Sequence, residues 1–256
     1  MGRQELINPE GLRLDGRRAH ELRRISAKPA VLAQADGSAY IEIGNTKVLA
    51  AVYGPRECRI RSHALHDRAV INVEYTQASF SRTIRRKQRK LDRKNMELAM
   101  QLRETFSAVV TTEQYPRSQI DIYLTLMQSD GGEVMACINA ATLALINAGV
   151  AMRDYVVACS VGIYDGTPLL DVNHFEEGPS IPTLTLATLP RTGDVVLMQC
   201  EQRLHMDRLQ AAMALAQEGC AQMHTKLDEV VRKELTELAI KVGEREASAA
   251  SMGTSL

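Results

Sequence analysis

Three groups of residues in this 256-residue chain have the types and spacing for chemistry. The first is Met127-Gln128-Ser129-Asp130-Gly131-Gly132-Glu133-Val134, which joins a strand-like run to a helix-like one. Paired glycines let the backbone come close to a ligand. The N–H groups of a helix's first turn lack partners inside the helix, so they suit an anion such as phosphate. The residue after the glycines is an acid, so the stretch also reads as an ordinary helix start in which Glu133 complements the helix dipole. The second group is Asp171 and Glu177, six positions apart across a short irregular segment. Two carboxylates can bind Mg²⁺ or act as general acid and base, although such pairs are common in loops. The third is the block 82–94, where Arg82, Arg85, Arg86, Lys87, Arg89, Lys90, Arg93 and Lys94 face one acid, Asp92. A basic block inside a neutral chain suggests a directed polyanion contact; the bland alternative is a solvated basic loop.

These groups depend on the elements that carry them. Ala39–Ile43 alternates, Gly44-Asn45-Thr46 turns, and Lys47–Tyr53 is apolar and β-branched, which predicts a hairpin. Asp36-Gly37-Ser38 is a turn signal ahead of it. Ala69–Ala78 alternates as another strand. The basic block then enters a helix whose apolar positions are Met96, Met100, Leu102, Phe106, Val109 and Val110. Arg93 and Lys94 fall in its first turn, where cations oppose the dipole. That placement is easier to understand if a polyanion sits nearby. Ile120–Leu126 predicts a strand leading into the glycine pair, and Ala136–Ala148 a helix apolar nearly all round, hence buried, with Gly149 as its stop. Val156–Tyr164 and Pro168–Val172 read as strands, and Leu184–Leu189 with Val195–Cys200 as a hairpin. A long amphipathic helix runs from Met206 to Val242, with Gly219 expected to bend or divide it. The order predicts a mixed α/β, α+β layer arrangement. A single domain is expected over 1–243, followed by an Ala/Ser-rich tail, 244–256, expected to be disordered.

Composition narrows the function classes. Hydrophobic residues at 45% and charged ones at 24% are ordinary for a globular protein, and the net charge is zero. No apolar run of about 18 residues predicts a membrane span. The polar start (Arg3, Gln4, Glu5) does not read as a signal peptide, and Leu6 stands where a myristoylation site wants Ser or Thr. Five cysteines without a C-x-x-C and six histidines without ligand spacing predict free thiols and no zinc site. Arg17-Arg18 in the lead-in can contact an anion or pin the arm through ion pairs.

Taken in order, the pieces resemble the RNase PH family across nearly the whole chain. The resemblance rests on Leu12-Arg13-Leu14-Asp15-Gly16-Arg17-Arg18, Ala35-Asp36-Gly37-Ser38-Ala39-Tyr40, Gly44-Asn45-Thr46-Lys47, Ala50-Ala51-Val52-Tyr53-Gly54-Pro55, Tyr115-Pro116-Arg117-Ser118-Gln119-Ile120-Asp121-Ile122 and Ala136–Leu145. Within the family it is most similar to the RNase-PH-like ring subunits of the eukaryotic RNA exosome. The resemblance implies the RNase PH fold, ribosomal protein S5 domain 2-like. It implies 3′-to-5′ RNA processing, including that of ribosomal RNA, and RNA degradation. The implied partners are RNA, other RNase-PH-like subunits in a six-membered ring, cap subunits with RNA-binding domains, and a separate 3′-to-5′ nuclease. The implied compartments are the nucleus, including the nucleolus, and the cytoplasm.

The resemblance also shows where this chain departs. Active members cleave RNA with inorganic phosphate and carry Gly-Thr-Arg or Gly-Ser-Arg, whose hydroxyl and backbone hold that phosphate. Here Gly132 matches the glycine, while Glu133 and Val134 replace the other two. Active members carry two aspartates six apart; Asp171 matches the first and Glu177 replaces the second. At about 4 Å, two like charges repel by roughly 4 kcal/mol at an effective dielectric near 20, so a carboxylate there opposes phosphate by several powers of ten. The family's RNA-contacting basic pair aligns with Arg93 and Lys94, joined in our reading by Arg85, Arg86, Arg89 and Lys90. The expectation is a non-catalytic, RNA-binding exosome ring subunit without cofactor or resident metal. The alternatives are an active phosphorolytic exoribonuclease and a free RNA-binding module.

Overall fold

The computed structural model describes residues 6–8, 11–60, 64–85, 92–178, 181–200 and 202–253, with side chains described as far as 242. The hairpin forms as its alternation predicts. β2 (Gly37–Ile43) and β3 (Thr46–Glu57) are antiparallel, with Ile43 opposite Thr46 across the Gly44-Asn45 turn. An edge strand not read from the sequence, β1 (Ile25–Pro29), pairs with β2. β4 (Val70–Gln77) and β5 (Ser118–Gln128) lie parallel, so the chain must cross over between them, and α1 (Arg93–Val109) is that crossover. The first sheet has the order β1-β2-β3-β5-β4. The second has the order β7-β6-β8-β9 from β6 (Val157–Tyr164), β7 (Thr167–Leu170), β8 (Thr183–Thr188) and β9 (Val195–Cys200).

Between the sheets lies α2 (Glu133–Asn147), in contact with β2 and β3 on one side and β6 on the other. Eleven consecutive residues of α2, Met135–Leu145, are buried, as expected of a helix covered from two directions. Its polar members are satisfied inside. Asn139 donates to the Ala158 carbonyl and accepts from the Ala158 N–H, and Thr142 donates to the Val156 carbonyl. One continuous apolar cluster includes side chains from both sheets and all three helices. α3 (Met206–Gly253) covers the outer side of β6, β7 and β8.

Three expectations change. α1 buries Leu102, Thr105, Phe106 and Val109, but Met96 and Met100 are exposed. At 3.6 residues per turn, positions two before Leu98 and Leu102 lie on the opposite side of the helix. Gly219 does not divide α3. A Cβ there would stand 2.5 Å from Leu170 Cδ1 and 2.9 Å from Cys159 Sγ, so the glycine serves close packing. The backbone is helical through Gly253, where a disordered tail from Glu244 was expected. Ala is the best helix former, and the Ala/Ser composition that reads as disorder lets a helix already nucleated upstream continue. Among the described residues, no helix is long and apolar enough to cross a membrane, and no cluster of His, Cys, Asp and Glu has metal-binding geometry.

Candidate functional site

The site forms where β5 ends and α2 begins. Gly131 and Gly132 both have positive φ, +82° and +65°. A Cβ on Gly131 would lie 2.7–2.8 Å from the backbone of Val172, Asn173 and His174, so only glycine lets the two segments meet. The His174 N–H donates to the Asp130 carbonyl at 3.1 Å and locks that contact. Thr46, at the hairpin turn, donates its hydroxyl to the Gly131 carbonyl at 2.8 Å and accepts from the Asp130 N–H. Two distant parts of the chain thus hold one loop.

The third support is Arg23. Its guanidinium donates to the carbonyls of Asp130 (2.8 Å) and Gly131 (3.2 Å) and grips both oxygens of Asp171, with Nη2 to Oδ1 at 2.7 Å. The Arg23 backbone N–H also donates to Asp171 Oδ2 at 2.8 Å. Asp171 is fully buried. Its carboxylate is held on both oxygens by Arg23. Glu177 is exposed and lines a cleft, whereas the buried Asp171 is not part of its lining. Arg17 donates to the Asp171 carbonyl and pairs with Asp15, so it pins the arm as the second of its two readings foresaw. Arg13 adds a fully buried contact to Glu176 at 3.3 Å.

The cleft, of about 880 Å³, brings Gly132, Glu133 and Val134 together with Arg82, Arg85, Lys94 and Glu177. The Glu133 carboxylate points to one side of it and is surrounded by donors. Ser129 Oγ donates to Oε1, Arg82 Nη2 donates to the same oxygen, and Tyr75 Oη reaches Oε2 at 3.5 Å. Burial alone would lower the Arg82 pKa, but the hydrogen bond and charge of Glu133 outweigh it, so the guanidinium is held more firmly protonated. Burial, then the neighbouring Cys137 and Glu133, push the Tyr75 phenol up, so it stays a donor. Three side-chain donors beside the start of α2 are thus engaged by the protein's own carboxylate.

Lys94 lines this cleft, but Arg93, one residue earlier on α1, is not part of its wall. Both are exposed, and Asp92 caps the helix by accepting from the Lys94 N–H. No ion pair with Glu97 forms among the described residues. Arg85 is at the cleft; Arg86, Arg89 and Lys90 lie outside the described residues. In the sequence Arg82 reads only as part of the basic block, and nothing there pairs it with Glu133 or marks Arg23, Ser129 and Tyr75 as supports of the site. An arginine in a leading segment (Arg23) and a serine four residues before an acid (Ser129 and Glu133) were the available signals, and neither is specific.

The chain matches the family model described as 3′ exoribonuclease family, domain 1, over residues 21–151, and domain 2 over 154–219. Over 241 residues it is 51% identical to exosome complex component RRP41 of Homo sapiens, covering 94% of this chain and 98% of that protein. It is 48% identical over 235 residues to the Arabidopsis thaliana RRP41 homolog, covering 91% and 97%. Among solved structures, rice (Oryza sativa) Rrp46 superposes with a TM-score of 0.78 at 22% identity, covering 86% of this chain and all of that one. A chain of the Archaeoglobus fulgidus exosome with RNA bound to the active site superposes with a TM-score of 0.72 at 23% identity, covering 85% and 93%. These two likenesses concern the fold. Matched over 197 residues by the two models together (131 from 21–151 and 66 from 154–219), and by relatives over nearly its full length, the chain belongs to the 3′ exoribonuclease (RNase PH) family.

Proposed function

We infer that this chain is a non-catalytic, RNA-binding ring subunit of the RNA exosome, supporting 3′-to-5′ RNA processing and degradation by threading RNA to a separate nuclease. The observation that carries the reading is the Glu133 carboxylate, held by Ser129, Tyr75 and Arg82 at the start of α2. A phosphate entering there would meet a fixed negative charge, and Ser129, Tyr75 and Arg82 are already engaged by it. Asp171, bound on both oxygens by Arg23, supports the same conclusion. Similarity to the RRP41 exosome components supports a place in a ring with other RNase-PH-like subunits and with cap subunits. The exposed Arg93 and Lys94, with Arg85 at the cleft, supply cations for RNA phosphates. On this reading the protein works in the nucleus, the nucleolus and the cytoplasm, which a fluorescent fusion would test.

The decisive experiment incubates the full chain, alone and with its ring partners, with 3′-labelled single-stranded RNA, inorganic phosphate and Mg²⁺. RNA is expected to bind and stay intact. Release of nucleoside diphosphates would establish the phosphorolytic reading instead.

A further inference from the structure

The chain has no tryptophan and only three phenylalanines. Phe106 is fully buried in the core, but Phe80 and Phe175 are 68% and 73% exposed, and both line one groove beside the cleft. These two rings, far apart in sequence, are exposed on one surface. Each is presented on a backbone-anchored turn. The 78–81 turn closes from the Ser81 N–H to the Ala78 carbonyl and is tied to β5 by Ala78 N–H to Leu126 O and to the glycine loop by Ser129 N–H to Ser81 O. The 173–177 turn closes through Glu176 N–H and Glu177 N–H to the Asn173 carbonyl. The rings are therefore preorganised, and little backbone entropy is lost when something lies on them.

We propose that this groove is a base-stacking site for single-stranded RNA, continuous with the cleft. The proposal rests on the RNA-binding reading above and deepens it. Three residues, Arg82, Thr83 and His174, line both groove and cleft, so a strand can pass from one to the other. The groove interleaves aromatic faces with cations. Tyr40 and His174 accompany the two phenylalanines, with the His174 and Phe175 rings 6.3 Å apart; Lys47 stands among them, and so does Arg82, which is paired with Glu133. Lys47 is held only loosely by Glu42, at 3.7 Å, and the acid in the wall, Asp130, accepts from Asn45. Stacking platforms flanked by cations bind single strands with little sequence preference, because every base offers a π-face. The groove's one aliphatic side chain is Met127, whereas the core of a protein–protein contact is apolar and depleted in charge. That composition favours nucleobases over a protein partner.

The test uses the full chain and a short single-stranded RNA containing 2-aminopurine, whose fluorescence falls when it stacks on an aromatic ring. Quenching on binding to the unmodified protein is expected. Phe80→Ala with Phe175→Ala should weaken binding at least about tenfold while leaving the salt dependence unchanged, since no cation is removed. Phe80→Tyr with Phe175→Tyr should restore it. An RNA with abasic positions should bind the unmodified protein as weakly as the intact RNA binds the alanine variant. Unquenched fluorescence with RNA bound, or unchanged affinity in the alanine variant, would overturn the groove and leave the RNA-binding reading standing. Absence of any RNA binding by the unmodified chain would remove both. Loss of a ring partner by the alanine variant, with RNA affinity intact, would make the groove a protein contact and end the proposal.

Discussion

At the residue scale, the Glu133 carboxylate engages three side-chain donors beside the glycine loop. Glu133 supplies the charge that a ligand would otherwise bring to Ser129, Tyr75 and Arg82. Glu133→Gln keeps the shape and removes the charge. We expect the affinity for inorganic phosphate, followed by calorimetric titration, to rise at least about tenfold, because repulsion of roughly 4 kcal/mol at contact distance disappears and Arg82 is released. An unchanged affinity would show that the charge at 133 is not what excludes phosphate. Arg23 and Asp171 illustrate a different kind of residue. Removing one partner of a buried ion pair leaves the other charge stranded. Arg23→Ala should therefore cost about 3–5 kcal/mol in chemical denaturation. Arg23→Met combined with Asp171→Asn should cost less, since no bare charge remains and Asn tolerates the positive φ of 55° found at 171. The oddity of Glu133 was legible in sequence because it follows two glycines directly. The grip of Arg23 on Asp171 was not, because 148 positions separate the partners.

At the element scale, the hairpin, the crossover helix and the buried helix follow from periodicity, whereas close approaches do not. Asp36-Gly37-Ser38 reads as a turn, yet Gly37 begins β2. Its reason for being glycine is the helix above it. A Cβ there would run into the backbone of Ala144 and Ala148 at the end of α2. Gly37→Ala is expected to destabilise the protein by about 3 kcal/mol, because neither backbone can yield without moving the helix between the two sheets. A shift of the urea midpoint with no change in slope is the expected signature; an unshifted midpoint would mean that the helix end can move at little cost. α1 shows the limit of pattern reading from the other side. Methionines at 96 and 100 look like part of an apolar face, and only the packing against β4 shows which face of the helix is covered.

At the scale of the whole molecule, the parts divide between a scaffold and a cation-bearing surface. Arg93→Ala with Lys94→Ala is expected to weaken RNA binding and flatten its dependence on salt, in filter-binding titrations across salt concentrations, because each lost phosphate contact reduces counterion release. An unchanged salt slope would remove these residues from the interface. The sequence by itself determined the mixed α/β class, most of the elements, the family and the place of Glu133-Val134 directly after the paired glycines. Those are written in local periodicity, in turn chemistry and in short contiguous motifs. Only the tertiary structure decided that Asp171 is a buried anchor while Glu177 lines the cleft, that Arg82 is bound to Glu133, and that Phe80 and Phe175 share a groove. Those facts depend on which distant segments meet, and burial and pairing belong to the assembled core: a hydrogen bond or an ion pair forms only between groups that the fold has brought within about 3–4 Å.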